Sequence, residues 1–381
     1  MKIALNTYQA AYQNPGGGEV VLNKHYEHLR ARGHQVELFN QWSDKIQNFD
    51  LVHNFGSINR DFWFAVKGAG VPLIVTPILW PTRSIFNIVC SPFGRFLKNA
   101  SPYSKNPLKV YYEFRLPDRL IVNSQSEADK ITKVFNLETE RFSVIPNGVD
   151  RSFREADRSL FQERYQIDNF LLCVGRIANV KNQLSLIRAA TGLKHRLVII
   201  GSPEPSTMGY YEQCRREAPA DTLFIDRVEQ GSPLLASAFA AARLVVIPSL
   251  FETCGIVAME AGLAGGKVAI TQNGGTREYY KDYVSYLDPK STSSLRKTLG
   301  DALEVENPRA ALFQSYIEQN YLWEKVMDQT IEIYRAVLGN LGRPTAMEET
   351  GSNGPIFGGD RKAHSTIYVK ETKPTMISDR V

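Results

Sequence analysis

The chain has 381 residues, 43% hydrophobic and 22% charged, with a net charge of +5. That length accommodates about two domains with buried cores. The small positive excess, with no zinc-finger, homeodomain or RNP1-like pattern, excludes a dedicated nucleic-acid binder.

MKIALNTY opens the chain as a strand rather than as a signal segment, and no uncharged apolar run is long enough to span a bilayer. Cys90, Cys173, Cys214 and Cys254 show no CxxC spacing, which fits a reducing compartment. A cytoplasmic location is expected. In the first half, KIALNTY, QVELFN, DLVHNFG, PLIVT, PDRLIVNS and FSVIP read as strands. They alternate with helices near 18–32, 59–69 and 126–135, the last with a capping box from Ser126 and Asp129. NPGGGEVV, residues 14–21, lies between the first strand and the first helix. Its glycines suit either close backbone approach to an anion or a flexible helix start. It is neither G-x-G-x-x-G nor a Walker A sequence, which weakens dehydrogenase and NTPase readings.

The polar stretch NGVDRSFREADRSL, 147–160, reads as a linker to a second series of strands: FLLCVGRI, RLVIIGS, TLFID, RLVVIPS, KVAITQ and VSYLD. Helices are expected near 182–191, 233–242, 256–264 and 291–304. Alternating strands and helices specify parallel sheets covered by helices. The expected fold is α/β, two facing doubly wound Rossmann-like domains with a cleft between them, residues 1–150 and residues 151–320. A helix at 321–338 packs back on the first domain, with Trp323, Val326, Ile331, Ile333, Tyr334 and Val337 on its apolar face. The Gly- and Pro-rich residues 339–381 read as a disordered tail.

Ligand sites in such sheets lie beyond the carboxyl ends of the strands. VGRIANVKNQ places Arg176 at one strand end and Lys181 near the next helix start, a pair of cations suited to a diphosphate or, alternatively, two solvated charges. SLFETCGIVAMEAG places Glu252 in a loop and Glu260 on a helix with no other charge between Gly255 and Gly266. A carboxylate buried there needs a hydrogen-bonding partner or a ligand, a structural salt bridge being the alternative. Glu252 is either a ligand contact or an exposed loop acid.

The spacing E252-TCGIVAM-E260 resembles the E-x7-E signature of retaining glycosyltransferases of GT-B fold. With the GGGE loop, DLVHNFG, IPNGVD, GR before Lys181, NGGTRE and the WEKV helix, the chain resembles glycosyltransferase family 4 (glycosyltransferase group 1) over roughly residues 1–338. The resemblance implies a nucleotide-diphosphate sugar as donor, no cofactor and no metal; the sequence contains no Asp-x-Asp. It implies that Glu252 contacts the transferred sugar, Glu260 the ribose, and Arg176 and Lys181 the diphosphate. Gly255, Ile256 and Val257 would lie near sugar and phosphate, and Gly17 and Gly18 near the phosphates and acceptor.

Relatives often carry a His after the strand matching PLIVT, whereas this chain has none from 54 to 194. His53, Trp80 and Arg83 are the acceptor-side candidates, with a purely structural His53 as the alternative. Residues 83–119 hold seven Lys or Arg against Glu113 and Asp118, interleaved with aromatics. This suits peripheral contact with an anionic membrane presenting a lipid-linked acceptor, or a basic loop packed on its own domain. The expected role is hexosyl transfer to a glycan or lipid-linked acceptor in bacterial-type surface polysaccharide or glycolipid biosynthesis. A soluble small-molecule acceptor, and a non-catalytic nucleotide- or glycan-binding protein, are the alternatives.

Overall fold

The central strands form from short apolar runs that are buried on both faces, as in parallel sheets flanked by helices. The computed structural model describes residues 1–9, 11–13, 16–56, 60–80, 114–306 and 309–340. Within the first sheet's half of the chain the elements are β1 (Lys2–Asn6), α1 (Gly17–Ala31), β2 (Gln35–Leu38), β3 (Leu51–Phe55), α2 (Arg60–Gly68), β4 (Leu73–Thr76), β5 (Arg119–Val122), α3 (Gln125–Phe135) and β6 (Phe142–Val144). The strands pair in the order β2-β1-β3-β4-β5-β6, all parallel.

The second half runs α4 (Ser159–Tyr165), β7 (Leu171–Val174), α5 (Gln183–Ala190), β8 (Leu197–Ile200), α6 (Met208–Glu217), β9 (Leu223–Ile225), α7 (Pro233–Ala241), β10 (Leu244–Ile247), α8 (Ile256–Leu263), β11 (Val268–Thr271), α9 (Thr276–Tyr280), β12 (Ser285–Leu287) and α10 (Thr292–Glu304). Its order is β12-β11-β10-β7-β8-β9, again parallel throughout. The order reverses between β7 and β10, which is where an open sheet forms its ligand crevice. Arg176 follows β7 and Glu252 follows β10, so the topology brings them together.

Two helices, α11 (Ala310–Tyr321) and α12 (Trp323–Asn340), complete the described chain. Trp323, Val326, Met327, Ile331, Tyr334 and Val337 of α12 are buried against Ile3, Leu5, Val21 and Leu22 of the first domain, while Ile333 is only partly buried. Phe313 and Ile317 of α11 join the core of the second. Among the described residues no helix is long and apolar enough to cross a membrane.

The capping box of α3 differs from expectation. Ser124, in extended backbone (φ −155°), is the cap and accepts from the Glu127 amide, while the Glu127 carboxylate accepts from the Asn123 amide at 2.8 Å. Ser126 sits inside the first turn, so its hydroxyl points outward and donates to Glu278 of the other domain. Of the basic stretch 83–119, residues 83–113, Arg83 included, lie outside the described residues; Phe114 is buried in the first domain's core.

The expected linker is bonded rather than free. Val149 pairs with Leu322 in a parallel bridge, the Val149 amide donating to Tyr321 O at 2.8 Å and the Trp323 amide to Val149 O at 3.2 Å. A Cβ on Gly148 would lie 2.4 Å from Cδ2 of Trp323. Gly148→Ala should therefore destabilise by about 1–3 kcal/mol through overpacking. Gly300→Ala, in α10 with open space around it, should stabilise by about 0.5–1 kcal/mol; urea unfolding of the two variants measures both.

Candidate active site

A cavity of about 450 Å³ opens between the two sheets at the carboxyl ends of their strands, within the size range of small-ligand sites. From the first domain it is lined by Gly16, Gly17, Gly18, Thr76, Ile78, Asn123 and Asn147. From the second come Arg176, Lys181, Glu204, Arg227, Gln230, Glu252, Gly255, Ile256, Val257 and Glu260.

The glycine loop is braced, not slack. Glu19 in the first turn of α1 accepts from the Gly16 amide at 2.6 Å and from the Tyr8 hydroxyl at 2.7 Å. That bond to a carboxylate is the main reason the Tyr8 phenol is pushed up to about 12. Gly17 faces Cδ1 of Ile256 across the cleft, and a Cβ on Gly18 would come within 3.3 Å of Cδ1 of Ile78. A side chain at Gly17 would narrow the space between the domains, and one at Gly18 would press on Ile78 of the same wall.

On the opposite wall two of the cations, Arg176 and Lys181, are already paired. Arg176 forms an ion pair with Glu204, and Lys181 Nζ lies 2.6 Å from Glu252 Oε1. The Ser249 hydroxyl donates to the same Glu252 oxygen at 2.6 Å. Gly255 then turns the chain into α8 at φ +73°, where a Cβ would sit 2.7 Å from Cδ1 of Ile270. The left-handed backbone here favours glycine, and the first residues of α8, Ile256 and Val257, line the cavity.

Glu260 is 3% exposed on α8 and accepts from Gln230 Nε2 at 2.8 Å. Burial pushes its carboxyl up to about 7 despite that bond. The cavity-lining thiols Cys173 and Cys254 are pushed up to about 12 by burial, so they stay protonated and are unsuited to nucleophilic chemistry.

Arg176, Lys181, Glu252, Glu260, Gly17, Gly18, Gly255, Ile256 and Val257 thus meet around one cavity. The acceptor-side candidates do not. His53 has no exposed surface; its Nδ1 is 2.6 Å from the Tyr334 hydroxyl and its Nε2 2.8 Å from Thr76 Oγ1. Burial lowers its pKa well below the usual range, so it is a neutral core histidine that touches the cavity only through Thr76. Trp80 lies outside the main cavity, packed on Phe251 with ring centres 4.5 Å apart and planes tilted by 48°, and with Lys130 Nζ 3.6 Å over its ring. Glu204, Gln230, Ser249, Glu19 and Ile78 were not singled out in the sequence. Only Glu204, an acid just beyond a strand end, carried a readable signal.

Two facing Rossmann-like domains with a cleft at their strand ends, lined here by Arg176 and Lys181, define the GT-B class. Residues 157–319 match the family model described as glycosyl transferases group 1, and residues 40–153 the model described as glycosyltransferase family 4. The chain is 31% identical to the D-inositol 3-phosphate glycosyltransferase of Mycolicibacterium smegmatis over 311 residues, 77% of this chain and 68% of that one. It is 31% identical to D-inositol 3-phosphate glycosyltransferase 1 of Catenulispora acidiphila over 260 residues, 60% of this chain but only 59% of that relative's length. Among solved structures, Anabaena HepE in complex with UDP and glucose shares the fold at a TM-score of 0.69 and 18% identity, covering 88% of this chain and all (100%) of that one. The chain belongs to the group 1 glycosyltransferases of family 4.

The two buried acids give stability a pH dependence of definite sign. Glu127 and Glu260 both have carboxyls raised from 4.5 to about 7, so the folded chain holds protons that the unfolded chain has lost. Stability is greatest below the unfolded value and falls as pH rises through this window. We expect a loss of about 2 kcal/mol per group between pH 5 and pH 7.5. Urea unfolding at the two pH values should show the drop reduced by that amount in Glu260→Gln.

Proposed function

We propose that the protein transfers a hexosyl group from a nucleoside diphosphate sugar to a small soluble acceptor, with retention at the anomeric carbon. The observation that carries the reading is the convergence of Arg176, Lys181, Glu252 and Glu260 on one cavity at the second sheet's switch point. Arg176 and Lys181 take the diphosphate, exchanging Glu204 and Glu252 for phosphate oxygens, and stabilise the charge that develops as the sugar leaves. The amides at Ile256 and Val257 add the positive end of α8. Glu260 accepts from the ribose hydroxyls, with Gln230 fixing its orientation. Glu252 orients the sugar.

The proton of the attacking hydroxyl goes to the leaving phosphate oxygen. Support comes from the first domain's wall: among the described residues lining the cavity there, Gly16–Gly18, Val20, Val21, Thr76, Ile78, Asn123 and Asn147, none is a general base. With no Asp-x-Asp in the sequence, we further propose that no metal is required.

The matched relatives are named for D-inositol 3-phosphate, and that supports a small phosphorylated acceptor over a lipid-linked one. The membrane reading rested on residues 83–119, mostly outside the described residues.

A thermal-shift panel of UDP, GDP and ADP identifies the donor base, since a ligand of the folded state raises the midpoint. Turnover of the corresponding sugars, with product anomericity read by NMR, then tests transfer and retention; inverted products, or loss of activity in EDTA, would contradict the proposal. Arg176→Ala should weaken nucleotide binding by roughly 10- to 100-fold, the worth of a charge-assisted hydrogen bond. Ribose recognition is best with Glu260 ionised. Nucleotide affinity should therefore strengthen as pH rises through about 7, where that carboxyl titrates, and Glu260→Gln should bind weakly without this component.

A further inference from the structure

NGGTREYY, residues 273–280, comprises the turn after β11 and the whole of α9, and is bonded at both ends to different parts of the molecule. At one end the turn is fused to Glu252. The Glu252 amide donates to Asn273 O at 3.1 Å, and the Gly275 amide donates to Glu252 O at 3.2 Å. At Gly274, with φ +115°, a Cβ would lie 1.7 Å from that same Glu252 oxygen. The turn therefore cannot move without taking the Glu252 backbone with it.

At the other end the stretch reaches the first domain. Glu278 Oε2 accepts from the Gln125 amide at 2.8 Å, and Oε1 accepts from the Ser126 amide at 2.8 Å and from the Ser126 hydroxyl. A carboxylate of one domain thus satisfies two free amides at the positive end of a helix in the other. The buried Tyr279 hydroxyl donates to Asn123 O at 2.6 Å and accepts from the Asn147 amide at 3.1 Å. Both asparagines line the cavity. Apolar packing would hold two domains together without fixing their register; these bonds are directional and end on the walls of the site.

We propose that Glu278 and Tyr279 are positioning residues that register Glu252 against the first domain's wall of the cleft. Neither touches the donor. Tyr279, buried, supplies the permanent contact. Glu278, exposed at the seam, supplies a contact that water can replace when the cleft opens. Where it concerns turnover, the proposal rests on the glycosyl-transfer reading.

Glu278→Gln and Tyr279→Phe in the full chain test it by three measurements: amide hydrogen exchange, calorimetric affinity for UDP and GDP, and turnover of the matching sugar. Exchange should quicken at Gln125 and Ser126 in the first variant and at Asn147 in the second. Nucleotide affinity should stay within about twofold, because the groups gripping the nucleotide are untouched, while kcat falls about tenfold or more, as small misplacements at a reacting centre do. Unchanged exchange, or unchanged kcat in both variants, overturns the proposal. Parallel loss of affinity and kcat overturns it as well, since that marks collapse of the loop rather than misregistration. Should Tyr279→Phe fail to fold, Glu278→Gln decides alone. If the wild-type chain turns over no nucleotide sugar, the glycosyl-transfer reading fails, and amide exchange still decides whether the two contacts register the domains.

Discussion

Everything in the cleft depends on the chain crossing between its two sheets twice and being bonded to itself where it does so. Val149 on the outward crossing and Leu322 on the return pair as a single bridge, with Trp323 seated over Gly148. The return has a thermodynamic reason. The first sheet needs a cover on the face around Ile3, Leu5 and Leu22, and α12 supplies it with Trp323, Met327 and Tyr334. Burial of large aromatic surface is among the strongest driving terms available to a domain. The helix that completes one core therefore also ties the two domains at the base of the site.

Charge is divided unequally across the cavity. The second domain contributes cations and carboxylates together, Arg176 with Glu204 and Lys181 with Glu252, because partly desolvated charges are costly alone. In the proposed reading a diphosphate binds such a site by exchange, displacing the internal acids as it takes their cations. Among the described residues Glu260 is partnered by the neutral Gln230 amide rather than by a cation. Burial holds its carboxyl near 7, a poise consistent with a group whose partner is supplied from outside.

The strands were legible in the sequence because buried parallel strands are continuous apolar runs, and Glu260 because it is the lone charge on an apolar helix. Other features were ambiguous for definite reasons. Ser124-x-x-Glu127 and Ser126-x-x-Asp129 are overlapping capping patterns, and the backbone conformation at Ser124 decides between them. The sequence leaves His53 either facing the cleft or structural, and its position inside β3, all five of whose residues are buried, decides for the structural role. Its partner Tyr334 lies 281 positions away on α12, beyond any local pattern. Gln230 is an unremarkable loop amide until its distance to Glu260 is known.

The first domain's wall is no less built for being uncharged. Ile78 stands there at φ +47° and 38% exposed, an uncommon conformation for a β-branched residue, which costs on the order of 1–3 kcal/mol. Such strain persists only where neighbours impose it. The next amide, Leu79, is held at 3.2 Å by Glu127, whose carboxylate also ties down the end of β5 through Asn123 and closes the cap of α3. One buried acid thus fixes the loop that presents Ile78 to the glycines of α1. Ile78 is therefore placed by the same helix terminus that Glu278 grips from across the cleft, so the first domain's wall and the turn bonded to Glu252 share a common anchor.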